Sequence, residues 1–213
     1  MTYPILYSFR RCPYAIRARL ALRVSGIQVE LREVVLSDKP AAFLACSEKA
    51  TVPVLVVDEQ HIIDESLDIM YWALERNDPD GWLVQESSLR QATEHLLDFN
   101  DNAFKSHLDH YKYSDRFPEN SMEYYREQGE TFLADLEARL NKTDYLLGQR
   151  PTLADVAIFP FIRQFAYVDK HWFAQSPYTK LQAWLAQLLE GSFFTSVMEK
   201  YEQWQPGDQR VLF

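Results

Sequence analysis

The stretch "RRCPYAIRARLAL", residues 10–22, sets a thiol, Cys12, directly after Arg10 and Arg11 and directly before Pro13. Proline is favoured in the first turn of a helix, where its missing N–H leaves nothing unpaired, so Cys12 falls at or beside a helix cap. There the sulfur faces amides that have no intrahelical partner. The positive end of the helix and the two guanidinium groups favour thiolate over thiol, the form that attacks a disulfide. The competing reading is a small, buried and inert cysteine, which many free cysteines are.

Ionising the thiol does not by itself speed attack. A thiol of ordinary pKa is about 3% ionised at pH 7, so full ionisation gains about thirtyfold, and the fall in intrinsic nucleophilicity returns a similar factor. What survives is leaving ability: a mixed disulfide on a low-pKa sulfur is readily broken by a second thiol. A dithiol redox pair would place its partner three residues on, where this chain has Ala15. The second thiol is therefore expected from solution, which disfavours a dithiol glutaredoxin. Cys46, thirty-four residues away on a separate expected helix, is a poor internal partner.

Two further groupings suit ligand binding. "TVPVL" puts Pro53 at the first residue of a strand, where the lost donor is tolerated. In "DES", Ser66 offers a hydroxyl and an amide at a helix start, a place that binds carboxylates, and Glu65 beside it can hold an ammonium. Together they suit an α-amino acid head group; alternatively Ser66 only caps its helix. His107 and His110 lie three apart on an expected helix without a third ligand at convincing spacing, so no metal site is expected. "HYKYSDRF" and "EYYRE" interleave aromatic and basic residues, but acidic neighbours favour helix packing or a pocket wall over base stacking.

The elements that must position these residues follow from periodicity. "YPILYSF" reads as a strand, and Pro13 to Ser25 as a helix with Ile16, Leu20 and Val24 four apart, stopped by Gly26. "IQVELREVVL" reads as a second strand, "KPAAFLACS" as a short helix, and "VPVLVV" with "HIID" as a hairpin across "DEQ". A helix from Ser66 completes a βαβαββα order. Turn formers in "ERNDPDGW" mark a boundary, and the rest is helical. Its stripes are Leu89, Ala92, Leu96, Phe99 and Ala103; Phe132, Leu136 and Leu140; Leu153, Val156 and Ala157; and Tyr178, Leu181, Leu185 and Leu188. Thr152 and Asp155 form a capping-box variant, Pro160 should bend or open its helix, and Trp172, Phe173, Trp184, Phe193 and Phe194 are expected in the core. The expected domains are 1–76, a linker at 77–86, and an all-α domain at 87–213.

At 213 residues and 47% hydrophobic, the chain can bury a sizeable core. The apolar stretch before Arg10 is too short for a secretory signal, and no run approaches a membrane span, so a cytoplasmic protein is expected. A net charge of −9 repels phosphate backbones, so neither nucleic acid nor membrane is an expected partner. Arg10, Arg11, Arg17, Arg19 and Arg23 nevertheless make a basic island within fourteen residues.

The ordered set "ILYSFRRCPYAIRARLALRVSGI", "SDKPAAFL", "TVPVLVV" and "IIDESLDIMYWAL" resembles the thioredoxin-like N-terminal domain of cysteine-type glutathione transferases, most similar to the omega class. "YLLG" and "PTLADVAIFPF" resemble that superfamily's helical domain. The resemblance implies that Cys12 is the catalytic thiol, forming a mixed disulfide with glutathione as co-substrate. It implies that Val52, ahead of a cis Pro53, pairs with the tripeptide's cysteinyl backbone. Glu65 and Ser66 would hold the γ-glutamyl head group, and Lys39 the glycine carboxylate. A homodimer is also implied, with the helical domain lining the pocket for a small or glutathionylated second substrate. The chain departs from the family where "CSEKATVPVL" replaces the common Asn-Pro-x-Gly approach to the strand. Tyr7 is read as core and Ser8 is left open. The rival reading is a non-catalytic interaction module resembling stringent starvation protein A.

Overall fold

The computed structural model describes residues 3–213; Met1 and Thr2, the start of the expected first domain, lie outside the described residues. Residues up to Gly81 together with Ser192–Phe213 form one compact unit, and Trp82–Gly191 form a second.

In the first unit, β1 (Ile5–Ser8), α1 (Pro13–Ser25), β2 (Glu30–Glu33), α2 (Ala41–Leu44), β3 (Val54–Val56), β4 (Ile62–Ile63) and α3 (Ser66–Leu74) follow the expected order. The sheet runs β2-β1-β3-β4, with β1 parallel to β2 and antiparallel to β3. Gly26 stops α1 in the left-handed region at φ 69°, which a side chain would strain. α1 packs chiefly on α3. A separate cluster gathers Tyr7, Val34, Phe43, Val52 and Val54 in buried positions, with Cys12, Cys46 and Trp204 packed against it. The Tyr7 and Phe43 rings lie 5.2 Å apart, and complete burial of Phe43 contributes about 2 to 3 kcal/mol.

Arg19 of α1 is fully buried and ties this unit together. Its Nε–H donates to Ser8 Oγ at 2.8 Å, Nη1 donates to the Val197 carbonyl at 3.2 Å, and Nη2 pairs with the Glu33 carboxylate. The other Glu33 oxygen accepts the Arg10 backbone N–H at 2.7 Å. Burial pushes the guanidinium pKa down, and Glu33 opposes that.

The second unit is helical: α4 (Ser87–Phe99), α5 (Lys105–Lys112), α6 (Met122–Leu140), α7 (Leu153–Ala166), α8 (Lys170–Gln175) and α9 (Thr179–Glu190). Between α4 and α5 the chain stays helical through a π stretch, Asn100–Phe104, whose extra residue per turn shifts the register. The buried stripe is Thr93, Leu96, Leu97, Asn100, Phe104, Leu108 and Tyr111; it departs from the expected Leu89, Ala92, Leu96, Phe99 and Ala103 already at Thr93, ahead of the π stretch. Phe104 stacks near Phe132 at 5.0 Å and Phe165 at 5.4 Å. Gly129 lets α6 approach closely, because a Cβ there would meet the Phe165 ring at 2.5 Å.

α7 runs unbroken past Pro160 and starts with the expected capping box. Asp155 is fully buried and accepts four hydrogen bonds: from Thr152 N–H and Leu146 N–H at 2.9 Å each, and from Thr152 Oγ1 and Trp184 Nε1 at 3.0 Å each. Burial pushes its carboxyl above the usual carboxylate range, and the donors pull against that.

The expected all-α domain at 87–213 is cut short. α10 (Ser192–Val197), with Phe193 and Phe194, belongs to the first unit, and the chain beyond it runs along β2. Val29 and Phe213 exchange backbone hydrogen bonds of 3.1 and 2.9 Å, Leu31 N–H reaches the Val211 carbonyl at 2.9 Å, and Trp204 N–H reaches that of Glu33 at 2.9 Å. This segment has no helical period to announce it; single anchors and backbone pairing hold it.

Glu33→Ala should cost about 3 to 5 kcal/mol in urea unfolding, because it leaves a buried guanidinium unpaired. A loss below about 1 kcal/mol would assign the pair no more than surface value. Asp155→Ala, which strands donors of Leu146, Thr152 and Trp184, should cost about 3 kcal/mol or more by the same measurement.

Candidate functional site

After β1 the chain turns tightly, with Cys12 N–H donating to the Phe9 carbonyl at 3.0 Å. Cys12 is the N-cap of α1, in an extended conformation, with Pro13 at the helix start and no side-chain cap bond. The first turn of α1 carries no acidic residue, so no carboxylate of that turn competes with the sulfur for the positive end of the helix. The Cys12 thiol lies 3.7 Å from the Val52 carbonyl, to which it donates. The Val52–Pro53 bond is cis. Residues forty positions apart in the chain are thus brought together at one loop.

The basic island is not a surface patch. Arg17 and Arg19 are buried, the Arg10 guanidinium donates to the Met198 carbonyl at 3.4 Å, and that of Arg11 lies 5.3 Å from the Phe9 ring centre. Arg17 Nε–H donates to Ser66 Oγ at 3.0 Å. This revises the expected cap: Glu65 is the N-cap of α3, and Ser66 is its first residue, 3% exposed, with its hydroxyl accepting from a buried guanidinium. The Ser66 amide still stands in the first turn, where N–H groups lack helical partners.

Glu65 is exposed and already holds a cation. Lys49 Nζ pairs with Glu65 Oε1 and lies 3.5 Å from Asp64 Oδ1. The Glu65 carboxylate holds the Lys49 ammonium above its usual range. The loop that delivers Lys49 is tied down. Ser47 Oγ donates to Asp64 Oδ2 at 3.1 Å, Ala50 N–H reaches the Ser47 carbonyl at 3.1 Å, and Ala50 adopts φ 49°. Lys39 is half-buried ahead of Pro40 and makes no side-chain hydrogen bond or ion pair among the described residues. Its loop is fastened one residue earlier, where Gln203 Nε2 donates to the carbonyl and carboxylate of Asp38 at 3.0 Å each.

Tyr7 is core, as expected. Burial raises its pKa, and its hydroxyl accepts from Arg32 Nη1 at 2.7 Å. Ser8 is buried under Arg19. Cys12 and Cys46 are not joined in a disulfide, and Cys46 donates to the Ala42 carbonyl at 3.0 Å. His110 stacks on Tyr125 with centroids 5.1 Å apart and meets Phe117 edge-on at 4.0 Å, while burial and His110 lower the pKa of His107. Sequence reasoning missed Arg17, Lys49 and Ala50. The one available signal was the missing Asn-Pro-x-Gly, which marks a changed loop without saying what fills it.

Residues 6–87 match the family model for the glutathione S-transferase N-terminal domain, and residues 87–187 the model for its C-terminal domain. Glutathione S-transferase omega-1 of Mus musculus is 26% identical over 86% of this chain and 75% of its own length. A probable glutathione transferase of Aplysia californica is 34% identical over 41% of this chain and 92% of its own. The crystal structure of a glutathione transferase family member from Pseudomonas fluorescens, with two glutathione bound, superposes with TM-score 0.79 at 20% identity, covering 92% of each chain. One from Burkholderia graminis, with two glutathione molecules bound per subunit, gives 0.78 at 17% identity, covering 92% of this chain and 87% of that one.

The left-handed backbone at Ala50 costs an alanine about 1 to 2 kcal/mol, and glycine's extra freedom in the unfolded chain offsets about 0.5 to 1 kcal/mol of any gain. Ala50→Gly should therefore stabilise the protein by about 0.5 to 1 kcal/mol in urea unfolding; a loss of stability would show that the loop holds Ala50 without strain.

Proposed function

Because the chain belongs to the glutathione transferase family, we propose that it is a glutathione-dependent thiol transferase whose Cys12 carries the glutathionyl group as a mixed disulfide. One observation supports this above the others: a thiol at a helix N-cap, 3.7 Å from the carbonyl that precedes a cis proline.

The Cys12 thiolate attacks the glutathione sulfur of a mixed disulfide. A Cys12–glutathione disulfide forms, the substrate's S–S bond breaks, and the substrate leaves as thiolate and takes a proton from water. A second glutathione thiolate then attacks the glutathione sulfur of that adduct. Oxidised glutathione departs, and Cys12 returns as the thiolate that the helix terminus stabilises. In each cycle two glutathionyl sulfurs are joined as one substrate disulfide is reduced. Relatives of the omega type and structures holding two glutathione molecules support a scheme that uses glutathione twice.

In this reading Val52 presents its backbone to the cysteinyl unit beside Pro53. The Ser66 amide and hydroxyl meet the γ-glutamyl carboxylate, Glu65 its ammonium, and Lys39 the glycine carboxylate. Conjugation to aromatic electrophiles is weak, since the Tyr7 and Ser8 hydroxyls are both engaged in the core and neither is at hand to stabilise a glutathione thiolate. The protein works as a cytoplasmic homodimer, a reading that rests on the family likeness. No helix among the described residues is long and apolar enough to cross a membrane.

Reduction of hydroxyethyl disulfide by glutathione should fall by about two orders of magnitude or more in Cys12→Ser, since the variant lacks the nucleophile. Wild type incubated with oxidised glutathione should gain one glutathione on Cys12, read by peptide mass spectrometry. An unchanged rate in the variant would remove Cys12 from the mechanism. Failure of glutathione to raise the melting temperature would favour the interaction-module reading.

A further inference from the structure

The Glu65 carboxylate that would receive the head-group ammonium of glutathione already holds a cation from within the chain. Lys49 Nζ pairs with Glu65 and lies 3.5 Å from Asp64 Oδ1. A lysine ammonium and an α-ammonium are the same kind of group: one positive charge, three N–H donors and no acceptor. Bound side by side at one pair of carboxylates they would repel, so the incoming group must displace Lys49 or lose part of its attraction.

The loop holds Lys49 in reach. Ser47 ties it to Asp64, the Ala50 N–H closes a turn onto the Ser47 carbonyl, and left-handed Ala50 redirects the chain into Thr51 and Val52. The pair itself is loose, with the Lys49 and Glu65 side chains 52% and 60% exposed, so the ammonium can leave at little cost.

We propose that Lys49 is an internal competitor for the γ-glutamyl ammonium subsite, and so a specificity-determining residue that weakens selection for ligands carrying a free α-amino group. The inference rests on the glutathione reading above. Lys49 costs the ammonium of a zwitterionic head group part of its attraction, whereas a head group with only a carboxylate meets Lys49 as an attractive charge. The residue therefore narrows the preference for glutathione over its des-amino analogue, glutaryl-cysteinyl-glycine.

Calorimetric titration of wild type, Lys49→Gln and Lys49→Arg with reduced glutathione and with glutaryl-cysteinyl-glycine tests this. Lys49→Gln should bind glutathione about two- to fivefold more tightly than wild type, the range an exposed ion pair supports. It should bind the des-amino ligand no more tightly than wild type does, and Lys49→Arg should resemble wild type with both. Added salt should shrink the gain, as screening weakens the competing charge. Unchanged or weaker glutathione binding by Lys49→Gln, or an equal gain for both ligands, overturns the competitor role and leaves the thiol-transferase reading standing. No binding of glutathione by wild type and Lys49→Gln alike overturns both.

Discussion

A guanidinium without access to water must find its partners inside the protein, and the first unit is organised around that demand. Arg19 reaches Ser8 on β1, Glu33 on β2 and the Val197 carbonyl at the end of α10, while Glu33 also holds the Arg10 amide. One buried charge pair thus joins two strands, two helices and the loop that leads to Cys12. An apolar contact in its place could slide by fractions of an ångström at little cost. A desolvated charge pair cannot, because any misfit leaves it without compensation. The position of the α1 N-terminus relative to the sheet, and of Cys12 with it, follows from this geometry.

The candidate site uses the same device in weaker forms as it nears the surface. Arg17 of α1 donates to Ser66 of α3 in a buried setting, and Lys49 meets Glu65 and Asp64 in an exposed one. Fixed partners join α1 to α3 in the interior. Exchangeable partners lie at the exposed start of α3. A gradient of burial thereby becomes a gradient of stiffness, since exposed pairs exchange with water and buried ones do not.

How much of this could be read in the chain depends on how local the cause is. The helix from Pro13 to Gly26, its Cys12 cap and the Thr152–Asp155 box are set by neighbours within a turn, and they appear where the residues place them. The cap of α3 was misread, since Ser66 is a good cap residue by type but is claimed by Arg17, forty-nine positions away. The allegiance of residues 192–213 was hidden for a related reason: backbone pairing with β2 leaves almost no trace in side-chain pattern. The Lys49 pairing depends on a turn through left-handed Ala50, a conformation that alanine does not advertise.

The π stretch Asn100–Phe104 gives the second unit a way to aim residues that loops and helix ends do not offer. Each residue of an α-helix turns by about 100°, so one surplus residue absorbed without a break rotates everything beyond it by roughly that angle against an unbroken α-helix of the same residues. Leu108 and Tyr111, beyond the stretch, meet the interior. Excision of a single residue from the stretch would restore a regular spiral and, because the π stretch turns about as far as an α stretch one residue shorter, leave Leu108 and Tyr111 facing the interior. The surplus residue is thus one the helix can carry or lose at that place without disturbing the packing of Tyr111 beside Phe165, 4.8 Å between ring centres.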